Sequence, residues 1–314
     1  MGKKIGIFFT ALLICLISLT GCSSSVQQAD QNARVQIIAT LFPQYDFARQ
    51  IAGDRADVTL LLSPGVESHT FEPTPADIIK INECDLFVYT GNFMEPWAET
   101  IISGMTGNGK ALDVSKGITL DAEEETHEGD EEHEGHHHGG FDPHIWTDPL
   151  NAKVMVQNIT DALCEADEKN KEYYQSNAQE YLAKLDALDA EFQEIVSTAE
   201  RDELVFGGRF AFHYFVKRYD LNYISAFDSF TSETEPSVSV IAQIMDQINE
   251  KQIPVIFYEE LTDPKVSRAI ADETGVKMLM LHACHNVSKE DLQNGATYLS
   301  IMEQNAKNLK EGLN

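Results

Sequence analysis

Apolar residues in this chain follow two rhythms. Short, mostly apolar runs at Val35 to Ala39, Val58 to Leu62 and Leu86 to Thr90 read as buried strands, and the last two are closed by Ser63-Pro64-Gly65 and Gly91. Between them lie helical spacings. One runs from Pro43 to Ala52 and stops at Gly53. Another opens with Thr74 as N-cap, Pro75 in the first turn and Asp77 at the third position. Alternating strand and helix joined by short turns predicts a parallel α/β arrangement.

Two longer helices follow. Asp148-Pro149 caps a helix through about Ala166, and a second runs from about Lys171 to Ala199. In the second, Tyr174, Ala178, Tyr181, Leu185, Leu188, Phe192 and Ile195 recur at alternating spacings of 4 and 3. That is one apolar stripe along a helix of roughly 45 Å at about 1.5 Å per residue. Strand and helix signals then resume. Glu203 to Phe206, Val255 to Tyr258 and Met278 to Leu281 read as strands. Phe212 to Tyr219, Ser237 to Asn249, a segment from Pro264 and one from Ala296 read as helices. The expected fold is α/β: two (βα) lobes with small parallel sheets joined by one long helix. The expected boundaries are 34–168 for the N-terminal lobe, 169–200 for the linker helix and 201–314 for the C-terminal lobe.

The N-terminus has a different character. Lys3 and Lys4 precede an apolar run from Ile5 to Leu19, which has the length of a signal-peptide core and is short for a membrane span. It ends in Leu19-Thr20-Gly21-Cys22, a bacterial lipobox pattern. Residues 1–21 are therefore expected to be a lipoprotein signal, Cys22 the lipidated residue, and 22–33 a tether. This predicts a soluble body anchored by lipid outside the cytoplasm. The net charge of −28 argues against nucleic acid as a partner, since phosphate binding needs clustered Lys and Arg. Cys84, Cys164 and Cys284 are too few and too scattered for a disulfide framework; one pair with a free thiol stays open.

Histidines carry the candidate chemistry. The stretch 121–140 is low in complexity, acidic and glycine-rich. It holds His127, His133, His136, His137 and His138. It cannot build a core, so it is either solvated filler or a flexible set of metal ligands. Outside it stand His69, His144, His213, His282 and His285. His69 follows a strand end and precedes a helix start, the crevice where parallel α/β sheets bind ligands. His144 lies between two Asp-Pro pairs, and Asp142 or Asp148 could accept from its second ring nitrogen. His282, Cys284 and His285 form a dense group of nitrogen and sulfur donors just past a strand.

The segments "SHTFEPTPADI", "GNFMEPWAETI", "FDPHIWTDPLNA", "FHYFVKRYDL", "TEPSV" and "TYLSIMEQN" resemble the zinc and manganese substrate-binding lipoproteins of bacterial ABC transporters. The resemblance spans Val35 to Leu313. It implies two lobes joined by a rigid helix, a metal site in the cleft between them, and an acidic His-rich loop typical of zinc members. It also implies an ABC permease and its ATPase as partners, a monomer, and transported Zn²⁺ rather than a catalytic cofactor. By position, His69 and His144 match the two N-lobe ligands. In the C-lobe the third histidine of the family is replaced by Arg209, and the usual strand-end carboxylate by His282. The C-lobe ligands are therefore ranked His282 first, His285 and His213 next, then Cys284. Arg209 cannot bind a cation and is expected to pair with an acid such as Glu260.

Three functions compete at this stage. A non-enzymatic Zn²⁺ carrier accounts for the lipobox, the lobe–helix–lobe order and the histidines at strand ends in both lobes. Mn²⁺ would suit a site with more carboxylates. An adhesin with a structural metal, or a zinc hydrolase built on an open metal position, are the alternatives, although no His-Glu-x-x-His motif is present. The insert is expected to collect metal weakly without being the transport site.

Overall fold

Among the described residues, eight short strands form two four-stranded parallel sheets with the same strand order. The computed structural model describes residues 34–122, 140–227 and 236–314. The signal segment, Cys22, the tether and all five histidines of the insert lie outside the described residues. Val35–Asn314 forms one compact unit.

The first sheet is built from β1 (Val35–Ala39), β2 (Ala56–Leu60), β3 (Leu86–Tyr89) and β4 (Lys110–Asp113), in the order β2-β1-β3-β4. Helices α1 (Phe42–Ala52), α2 (Pro75–Glu83) and α3 (Ala98–Gly104) supply its crossovers. Ala39 pairs with Leu60 on one side and Val88 on the other, so all the carboxyl ends face the same way. The expected cap of α2 is present as a capping box between Thr74 and Asp77. Two long helices follow: α4 (Pro149–Ala166) and α5 (Lys171–Ser197).

The second sheet repeats the topology. It comprises β5 (Glu203–Phe206), β6 (Asn222–Ser225), β7 (Val255–Tyr258) and β8 (Lys277–Met280), ordered β6-β5-β7-β8. Its helices are α6 (His213–Tyr219), α7 (Val238–Lys251), α8 (Lys265–Thr274), the short α9 (Lys289–Gln293) and α10 (Tyr298–Gly312). In both sheets the chain reverses direction beside the first strand. That creates a crevice at the carboxyl ends, where ligands bind in folds of this kind.

All seven residues of the α5 stripe are buried. At 27 residues this helix is about 40 Å long. It packs on α1, α4 and α10 and reaches α6, so it touches elements of both halves. Asp189 interrupts the stripe on the buried side. Arg218 of α6 holds it through two bonds of 2.8 Å, and the Tyr219 hydroxyl adds a third of 2.9 Å. Arg218 also lies 3.3 Å from Asp148, the N-cap of α4, so one guanidinium joins three helices.

The halves are also bonded directly. Asn286 donates to the Ser63 and Val66 carbonyls, the Gly65 amide donates to the Val287 carbonyl, and the Tyr298 hydroxyl donates to the Trp146 carbonyl. The Tyr298 amide donates to the buried Asp46 carboxylate. Among the described residues the three remaining cysteines are free.

Candidate metal site

His69, His144 and His285 each sit on a loop that follows the carboxyl end of a strand. His69 lies between β2 and α2. His144 lies after β4, immediately before a single 3-10 turn, Ile145–Thr147, that leads into α4. His285 lies four residues past Leu281, beyond β8. The chain turns sharply to reach it: Cys284 has φ of +64°, a left-handed conformation that a non-glycine residue adopts at a cost of about 1–2 kcal/mol. The Ala283 carbonyl accepts the Trp146 indole N–H at 2.6 Å, and the His285 carbonyl accepts the Phe42 amide, the first N–H of α1. The strained turn is thus tied to the N-terminal half on both sides.

These loops bring ligand atoms of His69, His144 and His285 within 4.8 Å of one another. Nitrogens sharing one tetrahedral zinc at ~2.0–2.1 Å would be about 3.3 Å apart, so small ring rotations close the gap. The ring centroids lie 5.4 Å apart for His69 and His144, 5.2 Å for His69 and His285, and 4.6 Å for His144 and His285. The Trp146 ring packs against both His144 and His285 and walls the site from below.

Carboxylates behind the rings settle which nitrogen faces inward. Asp142 Oδ1 accepts the His144 amide at 2.8 Å and lies 2.6 Å from its Nδ1. That leaves Nε2 toward the other two histidines. Glu260 Oε1 lies 3.3 Å from His285 Nδ1, while its other oxygen accepts the Ala283 amide at 2.8 Å. His285 Nε2 is buried and has no hydrogen-bonding partner among the described residues. A buried imidazole oriented by a carboxylate, its other nitrogen aimed at two more imidazoles, is the arrangement of a metal ligand.

Electrostatics favour the neutral form of His69 and His144. Burial, followed by the neighbouring His285, His144 and Arg209, brings the His69 pKa down to about 2. Burial also lowers that of His144, against the pull of Asp142. Burial would raise the Glu260 pKa, but His282, His285 and the Ala283 amide hold it down to about 2. Neutral imidazoles with a buried anion behind them present lone pairs to a divalent cation near neutral pH.

The other candidates stand elsewhere. His282, ranked first from sequence, lies outside the group. Its Nδ1 accepts the Cys284 amide at 3.0 Å and stands 3.6 Å from Glu260, so it flanks the acid rather than joining the three rings. The order expected between His282 and His285 is reversed in this geometry, because the Cys284 turn projects the later residue inward. His213 sits behind His144: its Nδ1 is 3.2 Å from Asp142 and its Nε2 is 2.9 Å from the Tyr223 hydroxyl. Cys284 is fully buried, and burial pushes its thiol well above the usual range; Asp46 and Tyr298 neighbour it on the core side. Arg209 pairs with Glu259 at 3.4 Å, not with Glu260, which is already committed to His285 and Ala283.

Sequence reasoning left Asp142 and Asp148 as alternative partners for His144. The structure uses Asp142, and Asp148 caps α4 by accepting the Leu150 amide. Glu260 as the partner of His285, and Trp146 as the floor, were not anticipated. The one available signal for Glu260 was a pair of acids at the end of the apolar strand, in "VIFYEEL".

A family profile described as zinc-uptake complex component A periplasmic matches residues 37–312. The high-affinity zinc uptake system protein ZnuA of Bacillus subtilis is 37% identical over 315 residues, covering 99% of this chain and 98% of its own. The zinc-binding lipoprotein AdcA of Streptococcus pneumoniae is 34% identical, covering 98% of this chain but 61% of its own length. The crystal structure of the Zn(II)-bound ZnuA-like domain of S. pneumoniae AdcA superposes with a TM-score of 0.75 at 30% identity, over 90% of this chain and 99% of that one.

Proposed function

We propose that this chain, which belongs to the periplasmic zinc-uptake component A family, captures Zn²⁺ on His69, His144 and His285 and delivers it to an ABC permease. The observation that carries this reading is the convergence of three imidazoles from both halves of the unit, two of them oriented by buried carboxylates. All three donors are nitrogens, which favours zinc over manganese. The relatives' names point the same way: one is a zinc uptake protein and another a zinc-binding lipoprotein.

In this reading the two halves act as lobes with α5 as their spine. The body works outside the cytoplasm, held to the membrane through lipid on Cys22, as a monomeric carrier rather than an enzyme. The family is one of transport components, and no catalytic role is needed to explain the three histidines. Delivery requires that zinc leave, and three ligands instead of a closed set of four suit a site that must also release its ion.

Isothermal titration of the mature chain with zinc tests the proposal. We expect one tight site in the wild type, weakened at least a hundredfold in His144→Ala and His285→Ala, with His282→Ala and His213→Ala changing it much less. A tight site that survives both His144→Ala and His285→Ala would refute it. Zinc-dependent hydrolysis that is lost with His144 would instead favour an enzyme.

A further inference from the structure

Three imidazoles leave a zinc ion one short of its usual four ligands. Beside them opens a pocket of about 90 Å³, lined by Ser68, His69, Arg209, Glu259 and His285 among others. That is room for several waters or for one anion of a few heavy atoms, but not for a large ligand.

The presence of Arg209 here needs an explanation. A fixed guanidinium beside a cation site opposes the ion it is meant to hold. Its loop is not free to swing away: the Gly207 amide donates to the Phe257 carbonyl at 2.9 Å, and the Ser225 hydroxyl donates to the Gly208 carbonyl at 2.9 Å. A side chain at Gly207 would collide with Ser267, whose Cα lies 2.8 Å from the place a Cβ would occupy, so the loop is pressed against α8. The contact with Glu259 engages Nε alone, at 3.4 Å. With zinc bound, Glu260 and Asp142, the two carboxylates behind the ligating rings, offset the two charges of the ion. Arg209 is then an additional, partly exposed cation at the pocket, and its single contact with Glu259 leaves its terminal nitrogens available to a small anion.

We propose that the fourth zinc position is filled by a small planar oxyanion, a carboxylate or bicarbonate. One of its oxygens lies on the metal and the other on the terminal nitrogens of Arg209. The inference rests on the zinc site proposed above. A guanidinium fork matches a planar two-oxygen anion, whereas a spherical anion cannot bridge it to the metal. Arg209 thereby turns from an opponent of the cation into the residue that recruits its counter-ion, and zinc is captured as a metal–anion pair.

Cobalt(II) in place of zinc reports the fourth ligand through its visible absorption. The mature chain is loaded with cobalt in a non-coordinating buffer, then titrated separately with acetate, bicarbonate and chloride. We expect saturable spectral changes with acetate and bicarbonate and a much weaker response to chloride. In Arg209→Gln the half-saturating acetate concentration should rise at least tenfold. Arg209→Lys, which keeps the charge but loses the fork, should fall between. Zinc affinity measured without these anions should rise in Arg209→Gln, because an opposing charge is gone, whereas a merely structural role would make it fall. The proposal is overturned if acetate leaves the wild-type spectrum unchanged, if Arg209→Gln responds as the wild type does, or if chloride acts as strongly as acetate. Failure of cobalt and zinc to bind at all would instead remove the metal site itself.

Discussion

Glu95 should make the protein lose stability as pH rises, and Glu95→Gln should remove that loss. Its carboxyl is 2% exposed and lies where β1 and β3 end. Oε1 accepts the Thr40 hydroxyl at 2.5 Å and Oε2 accepts the Thr90 amide at 3.0 Å. Burial outweighs these bonds and raises the pKa from 4.5 to about 8. A carboxyl with a raised folded pKa contributes stability that is complete below its unfolded pKa and is lost as pH climbs to its folded one. The window is therefore pH 4.5 to 8. At about 1.36 kcal/mol per unit, the ionised unfolded state gains roughly 3 kcal/mol over the protonated folded state at pH 7, and about 1 kcal/mol at pH 5. Glutamine does not titrate. It keeps an acceptor for one donor and misplaces an N–H₂ toward the other, which costs about 1 kcal/mol. The variant should match the wild type near pH 5 and exceed it by about 2 kcal/mol at pH 7, on the order of 1.4 kcal/mol per unit. Urea unfolding of the metal-free chain at pH 5, 6 and 7, followed by circular dichroism, measures this. A difference that stays constant with pH would refute the reasoning.

Other consequences follow from the same structure. Asp189→Asn breaks the Arg218 clamp across α4, α5 and α6. Because both side chains are partly exposed, at 12% and 21%, the cost should be about 2 kcal/mol in urea unfolding. Burial opposes ionisation of Asp189, but Arg218 and Tyr219 lower its pKa, so that contribution should vanish as pH falls below about 4. Deleting 123–139 should abolish weak zinc sites in calorimetry and leave one tight site. The weak sites should fade toward pH 6, where an unperturbed imidazole becomes protonated, while the tight site persists, because His69 stays neutral to about 2. Scattering curves with and without zinc should nearly coincide, because α5 and the bonds from Asn286, Gly65 and Tyr298 already hold the halves together; a shape change as large as full domain closure would contradict this.

The core elements were legible because their signals are local. The α5 stripe is a period that burial must respect, and the Thr74 and Asp148 caps are chemistry within one turn. The structure places β1, β5, β7 and α5 within a residue or two of expectation. Edge strands β4 and β6 were missed, since Lys110–Asp113 and Asn222–Ser225 are short, half-exposed and mixed in polarity. His69 and His144 could be read from strand ends and Asp-Pro stiffening. The choice between His282 and His285 could not. It depends on a left-handed Cys284 and on an indole bond from Trp146, 137 residues away in the chain. Arg209 was recognised as unable to bind a cation, but two adjacent glutamates compete for it, and only burial around Glu260 decides for Glu259.

The most direct test of the account is a crystal structure of the mature chain with zinc, recorded with anomalous scattering on both sides of the zinc edge. The account predicts one strong peak bonded to His69, to Nε2 of His144 and to Nε2 of His285, with His282 and His213 outside bonding distance. A peak centred on His213 and Asp142, or one confined to the His-rich insert with the three rings empty, would contradict it.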